Sequence, residues 1–237
     1  MTDTLHRILP QVQKPARYVG GEYNQIVKDK RDVDVRVAFC FPDTYEIGMS
    51  NIGMRILYGL MNELPGVWCE RVFAPWGDME EKMREHAIPL CALESHDPVR
   101  AFDLIAFTIG YEMSYTNILN MLDLSGVPLL ARERKGLENI VFAGGVCAVN
   151  PEPLADFIDF FSFGEGEEIT KEILACYRQA KKDGCSKEEF LLRVSRIDGV
   201  YVPSFYEHSY NPDGMLAAIT PKNGAPAKVR KRIVQDM

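Results

Sequence analysis

Three short segments carry residues placed to meet a ligand. Asp43-Thr44-Tyr45-Glu46-Ile47-Gly48, Thr108-Ile109-Gly110-Tyr111 and Gly144-Gly145 each follow a short apolar run. A glycine at a strand end has no Cβ, so a ligand can approach the backbone closely. If the three runs are neighbouring parallel strands, these points floor one crevice, where open α/β sheets hold their ligands. The same glycines also serve as plain turn residues. Glu46 and Glu112, each just past a strand end, are the carboxylates to consider as an acid pair. Acid–base work requires that they face one another, and solvated carboxylates are the plainer reading. Tyr111 and Tyr115 either flank a flat ligand or pack as core. A further segment, Gly164-Glu165-Gly166-Glu167-Glu168, opens a helical pattern. A glycine loop at a helix start suits phosphate, but three carboxylates repel one and complement the helix dipole instead.

The elements that must position these residues follow from hydrophobic period. Val35 to Phe41 is an apolar run that breaks at Pro42, and a helical pattern follows through Ile52, Ile56, Leu57, Leu60 and Met61. This strand–loop–helix order is the opening unit of a parallel α/β sheet. Val67 to Phe73 reads as the second strand and Gly77 to His86 as an amphipathic helix. The unbroken apolar run Asp103 to Ile109 reads as a central buried strand, followed by a helix over Met113 to Leu124 that Gly126 ends. Ile140 to Ala143 and Asp159 to Phe163 complete the parallel strands, and Ile88 to Leu93 and Val127 to Ala131 are short extra candidates. Helices are expected over Ile169 to Lys181 and Lys187 to Ser195. From Gly199 aromatic and β-branched residues surround Pro212-Asp213-Gly214, the pattern of a β-hairpin, and Ala227 to Val234 is a further strand candidate. The expected fold is a Rossmann-like (flavodoxin-like), doubly wound α/β domain over 35–182, with a mostly parallel sheet of about five strands. Residues 1–34, with Pro10, Pro15 and Gly20-Gly21, read as a polar N-terminal extension rather than a core element. Residues 183–237 read as a helix plus β-hairpin linker, a C-terminal β-containing extension leading toward a following domain.

Composition sets limits on function. The 237 residues are 46% hydrophobic and 26% charged, ordinary for a globular chain. A net charge of −7 argues against a large nucleic-acid surface. The basic run Lys228 to Arg232 is read as a solvated strand face. No apolar run approaches the roughly 18–20 residues that cross a bilayer, and the N-terminus has no signal-peptide core; a cytoplasmic protein is expected. The six cysteines are irregularly spaced and read as free thiols of a reducing compartment. Four histidines and no Cys-x-x-Cys give no visible metal-ligand cluster.

In order and spacing the three segments resemble the cobalamin-binding signature Asp-x-His-x-x-Gly, Ser-x-Leu, Gly-Gly. Asp43 and Gly48 match the first part, with Tyr45 in the histidine position. Thr108 stands at the serine, Gly110 at the leucine, and Gly144-Gly145 at the diglycine. The resemblance implies a crevice for cobalamin in which the diglycine makes room for the nucleotide tail. Tyrosine, with an unperturbed pKa of about 10, is a poor substitute for an imidazole, so a cobalamin here is expected to lack a histidine ligand. Longer phrases, KPARYVGGEYN (14–24), FPDTYEIGMSNIG (41–53), ERVFAPWGDME (70–80), YEMSYTNILNMLDLSGVPL (111–129), AGGVCAVNPEPLADF (143–157) and FGEGEE (163–168), resemble the N-terminal part of an uncharacterised family of radical S-adenosylmethionine (radical SAM) proteins over about residues 14–234. The resemblance implies that a radical SAM domain follows, in the same chain or a separate one. The 4Fe-4S cluster and S-adenosylmethionine would belong to that parent. This chain, without a Cys-x-x-x-Cys-x-x-Cys loop, is not expected to be catalytic alone. The resemblance also places Glu165 near the crevice. The expected function is an accessory domain capping the radical active site, with Asp43, Tyr45, Gly48, Thr108, Gly110, Gly144, Gly145 and Glu165 as cofactor-binding residues. The alternatives are a degenerate recognition domain for protein or RNA and a stand-alone nucleotide-binding module. Against the last stand the acidic 164–168 turn and the missing phosphate loop.

Overall fold

Val35–Phe41 forms strand β1, and six of its seven residues are buried. Successive side chains of a strand point to opposite faces, and β1 divides accordingly. Ala38 and Cys40 join one core, whereas Val35, Val37, Phe39 and Phe41 join the other. A strand apolar on both faces needs helices on both, and the chain supplies them. In this computed structural model, which describes residues 2–234, helix α1 (Thr2–Ile8) precedes β1. After β1 come α2 (Tyr45–Ser50), α3 (Ile52–Glu63), β2 (Val67–Phe73), α4 (Gly77–Glu85), β3 (Leu104–Thr108) and α5 (Tyr115–Ser125). They are followed by β4 (Ile140–Gly144), β5 (Phe160–Ser162), α6 (Gly166–Asp183), α7 (Lys187–Val194), β6 (Val200–Tyr201), β7 (Tyr206–Tyr210) and β8 (Leu216–Pro221).

The sheet order is β2-β1-β3-β4-β5-β6. The first five strands are parallel, with Val37 opposite Leu104 and Thr108 opposite Gly144, and β6 runs antiparallel to β5. Residues of α1, α4 and α5 pack on one face; those of α3, α6 and α7 pack on the other. This is the doubly wound, flavodoxin-like arrangement, whose topological switch point lies between β1 and β3. The hairpin β7–β8 forms a separate two-stranded sheet around the expected Pro212-Asp213-Gly214 turn.

Both sheet edges are closed. Along β2 the Asn62 amide accepts from Cys69 N at 3.0 Å and donates to Cys69 O at 2.9 Å, and Leu93 N donates to Arg71 O at 2.8 Å. At the other edge β6 is two residues long and Pro203 follows it.

Four expectations change. The N-terminal extension is part of the core: Leu5, Ile8, Leu9 and Val12 are buried in the cluster that contains β1 and β3 side chains. Their i, i+3, i+4, i+7 spacing is an apolar stripe one helix wide. Residues 88–93 form no strand, only an isolated bridge between Cys91 and Pro98, and 127–131 form none either. Residues 227–234 contribute a single bridge, Gly164 to Arg232, instead of a strand. Within it Arg232 is not solvated: its Nη2 donates to Glu168 at 2.8 Å and Glu172 at 2.6 Å.

Candidate functional site

The carboxyl ends of β3, β4 and β5 surround a cavity of about 290 Å³. Adjacent parallel strands finish at the same level, so residues far apart in sequence meet. Thr108 and Gly110 from the end of β3, Gly144 and Gly145 from the end of β4, and Ser162 from β5 line it. The opening turns of two helices close its sides, with Asn51 and Gly53 from α3 and Gly166 and Thr170 from α6. Phe39, Ala106 and Phe142 make an apolar floor, and no charged side chain lines the cavity. The hydrogen-bonding side chains in the wall are Asn51, Thr108, Ser162 and Thr170, of which the Asn51 carbonyl already accepts from Met54 N at 2.8 Å. Such a lining selects a neutral, mostly apolar group that exchanges a few hydrogen bonds, and its volume is close to the lower end of the about 300–1,000 Å³ usual for small-molecule pockets.

Two of the cavity's glycines are bound to different local needs. Gly145 has φ +100°, and a Cβ there would lie 2.6 Å from the Ile109 carbonyl oxygen. The close approach is fixed by Ile109 N donating to Gly144 O at 2.7 Å and Cys147 N donating to Ile109 O at 3.1 Å. Gly145 is therefore required first by the join between β3 and β4. A Cβ on Gly110 meets nothing within 4 Å, so that position opens on free space.

The other four sequence candidates lie elsewhere. Asp43 stitches strand ends: its Oδ1 accepts from Thr44 N at 2.6 Å and its carbonyl from Ala74 N at 2.9 Å. Tyr45 begins α2 and turns away from the cavity. Its ring meets Phe73 edge-on at 5.4 Å, and its hydroxyl donates to Glu22 at 2.9 Å. Burial, reinforced by the Glu22 carboxylate, pushes the Tyr45 phenol up to about 12, so it is neutral at physiological pH. Gly48 packs under the Phe73 ring, which a Cβ would overlap, and borders a separate hollow formed with Tyr23 and Ile56. Glu165 faces the C-terminal segment, where its carboxylate accepts from Val234 N and its own N–H donates to Arg232 O at 3.2 Å.

Sequence reasoning missed the network that Tyr45 joins. Glu22 accepts from Tyr45 and also from Arg71 Nη2 at 2.9 Å. Arg71, in the middle of buried β2, is clamped again by Glu94, which takes its Nε at 2.6 Å and its backbone N–H at 2.7 Å. Replacing Tyr45 with phenylalanine removes one neutral-donor bond to a partly buried carboxylate. Urea unfolding should report a loss of about 1 kcal/mol, with ligand retention at the strand-end cavity unchanged. Lost retention at unchanged stability would return Tyr45 to the site. Glu46 and Glu112 are not bonded to each other either. Glu46 is held by Lys14 and Arg17 at 3.0 Å, and the Lys14 bond leads in drawing its carboxyl down to about 2.

Among the described residues no group of three His, Cys, Asp or Glu is placed to hold a metal, and no helix is long and apolar enough to cross a membrane.

A doubly wound sheet with a glycine-lined, uncharged cavity at its carboxyl end has the arrangement in which open α/β sheets place their ligand crevices. Residues 53–203 match the family of radical SAM proteins, N-terminal, and the chain belongs to that family. An uncharacterized protein of Methanocaldococcus jannaschii is 28% identical over 143 residues, which are 58% of this chain and 26% of the relative. The chain thus spans about a quarter of the length of that relative.

Proposed function

We propose that this accessory domain of a radical SAM protein holds a neutral organic group in its strand-end cavity and presents it to the radical domain. The observation that carries the reading is the uncharged lining at the carboxyl ends of β3, β4 and β5, with Gly110 open to space. The capping role is supported by the rim. Tyr111, Met113, Val146 and Val149 stand beside the cavity mouth in sequence and are 61–77% exposed, an apolar collar suited to a covering domain.

Cobalamin is the cofactor the reading favours. The cavity residues fit its uncharged nucleotide base, with Thr108, Ser162 and Thr170 as hydrogen-bonding partners and the β4 glycines leaving room in the wall. They offer no imidazole, and Tyr45 is engaged with Glu22 and Phe73. When bound, cobalamin would supply a methyl-group carrier. The chain's own contribution is to bind the tail, exclude water from the Phe39–Phe142 floor and fix the orientation of what lies above. The 4Fe-4S cluster and S-adenosylmethionine fall to the radical SAM domain. We place the protein in the cytoplasm, a reading supported by six unpaired cysteines.

Hydroxocobalamin added to the purified chain and followed through gel filtration tests the cofactor. Retained cobalamin with a visible spectrum free of imidazole ligation is the expected result, and Gly110→Trp should abolish retention without lowering the melting midpoint. If this chain retains no cobalamin, alone or with a radical SAM domain supplied, the cofactor reading fails. The recognition reading, which the exposed collar independently favours, then takes its place: changes at Met113 and Val149 would weaken partner capture, and Gly110→Trp would not.

A further inference from the structure

The opposite end of the sheet carries a second cavity, of about 510 Å³, where β4 and β5 begin. It shares no lining residue with the strand-end cavity. Its apolar side includes Ile158, Leu191 and Phe205, all buried or nearly so. Its polar side is cationic: Arg132, Arg134, Lys135 and Lys187 stand against two carboxylates, Asp159 and Glu188. In a chain of net charge −7 this excess is local and of opposite sign.

The cationic side has two layers. The inner layer is buried and saturated. Arg134 Nε and Nη2 donate to Asp159 Oδ2 at 3.2 and 3.0 Å, and its remaining N–H groups go to the carbonyls of Pro128, Leu129 and Phe157. Lys187 Nζ donates to the carbonyls of Ala131 at 2.7 Å and Arg134 at 2.8 Å and pairs with Asp159 Oδ1 at 2.5 Å. Two cations thus share one carboxylate, with the side chains of Arg134 and Asp159 each 1% exposed. The cluster holds loop 128–135 in place and leaves one positive charge without a buried counterpart. Such a charge acts through a medium of low effective dielectric and draws an anion strongly. Its own donors are used, so hydrogen bonds to that anion must come from elsewhere. The outer layer provides them. Arg132 and Lys135 lie on the same pinned loop, are exposed, and have no ion-pair partner among the described residues.

We propose that this cavity binds a small molecule that joins a phosphate or carboxylate group to an apolar body. Arg132 and Lys135 take the anionic group, the Arg134–Lys187–Asp159 cluster supplies the surplus field, and the body rests against Ile158, Leu191 and Phe205. The site does not depend on what the strand-end cavity binds.

Calorimetric titration of the whole chain with phenyl phosphate, phenylacetate, inorganic phosphate and benzyl alcohol separates the contributions. At least one of the two aryl anions should bind at least about tenfold more tightly than benzyl alcohol, as charge-assisted contacts require. That anion should also exceed inorganic phosphate, which lacks the apolar body. Which of the two binds better identifies the anionic group. The double variant R132Q/K135Q, at two exposed positions, should keep the wild-type melting midpoint and lose about tenfold in affinity. L191D, or a milder L191N if that variant melts early, should weaken the aryl anions and leave the weak response to inorganic phosphate. Affinity equal for aryl anions and benzyl alcohol, affinity unchanged in R132Q/K135Q, or no saturable binding of either anion would each overturn the proposal.

Discussion

Alanine at Gly145 is expected to destabilise the domain by about 2–4 kcal/mol, whereas alanine at Gly110 should stay within about 0.5 kcal/mol of the native protein. Both glycines line one cavity, yet their surroundings differ. At Gly145 the backbone sits at φ +100°, where an L side chain is strained, and the new Cβ would press on the Ile109 carbonyl at 2.6 Å. That carbonyl sits one residue past β3 and is held by Cys147 N, so relief requires parting the strand ends. At Gly110 the added methyl meets nothing within 4 Å. Urea midpoints of the two variants measure the contrast. Equal midpoints would mean that the diglycine is not set by the β3–β4 join and that its absent side chains serve the ligand alone.

Removing the Glu94 carboxylate is expected to cost about 3–5 kcal/mol, the usual consequence of leaving a buried charge without its partner. The Glu94 side chain is fully buried and that of Arg71 is 7% exposed. In Glu94→Ala the guanidinium keeps Glu22 as its one carboxylate, beside the Met49 sulfur and the Tyr58 ring, and the Arg71 backbone N–H loses its acceptor. The double variant R71M/E94M should lose less than Glu94→Ala alone, because the charge it leaves without a cation, Glu22, reaches solvent and keeps the Tyr45 hydrogen bond, whereas Arg71 is more deeply buried. Denaturant unfolding of the two proteins decides this. A double variant less stable than the single one would show that the ion pair itself, and not the avoidance of an orphaned charge, holds β2 in place.

The central strands were legible because each is apolar on both faces. Val35–Phe41, Val67–Phe73 and Leu104–Thr108 lie within a residue of the ranges read from the sequence. Strand β6 was not, since two residues of an antiparallel strand carry no period. Helix α1 was missed although Leu5, Ile8, Leu9 and Val12 have helical spacing; the prolines and polar residues nearby masked a narrow stripe. Position along parallel strands brings two of the three sequence segments together. Thr108 and Gly144 are direct register partners, so two motifs 36 residues apart meet at one level. The loop after β1 lies outside the strand-end cavity for a local reason. Once Tyr45 starts a helical turn, its side chain rotates toward Phe73 and Glu22. The sequence shows only that a tyrosine follows a strand. Pairings such as Glu22 with Arg71 and Glu168 with Arg232 depend on tertiary approach across 49 and 64 residues, and no local pattern announces them.

The closed margins of the sheet have a consequence for how this molecule can associate. An open edge is a template: another extended segment can dock by main-chain hydrogen bonds with little regard for its side chains. Here the β2 margin is already occupied by the Asn62–Cys69 and Leu93–Arg71 bonds, and the β6 strand stops after two residues, just before Val202 and Pro203. Sideways polymerisation of the central sheet, and promiscuous capture of unfolded peptides along it, are blocked by construction. Recognition is left to the poles and helical faces, where side-chain identity decides, and that favours discriminating association over adhesive association.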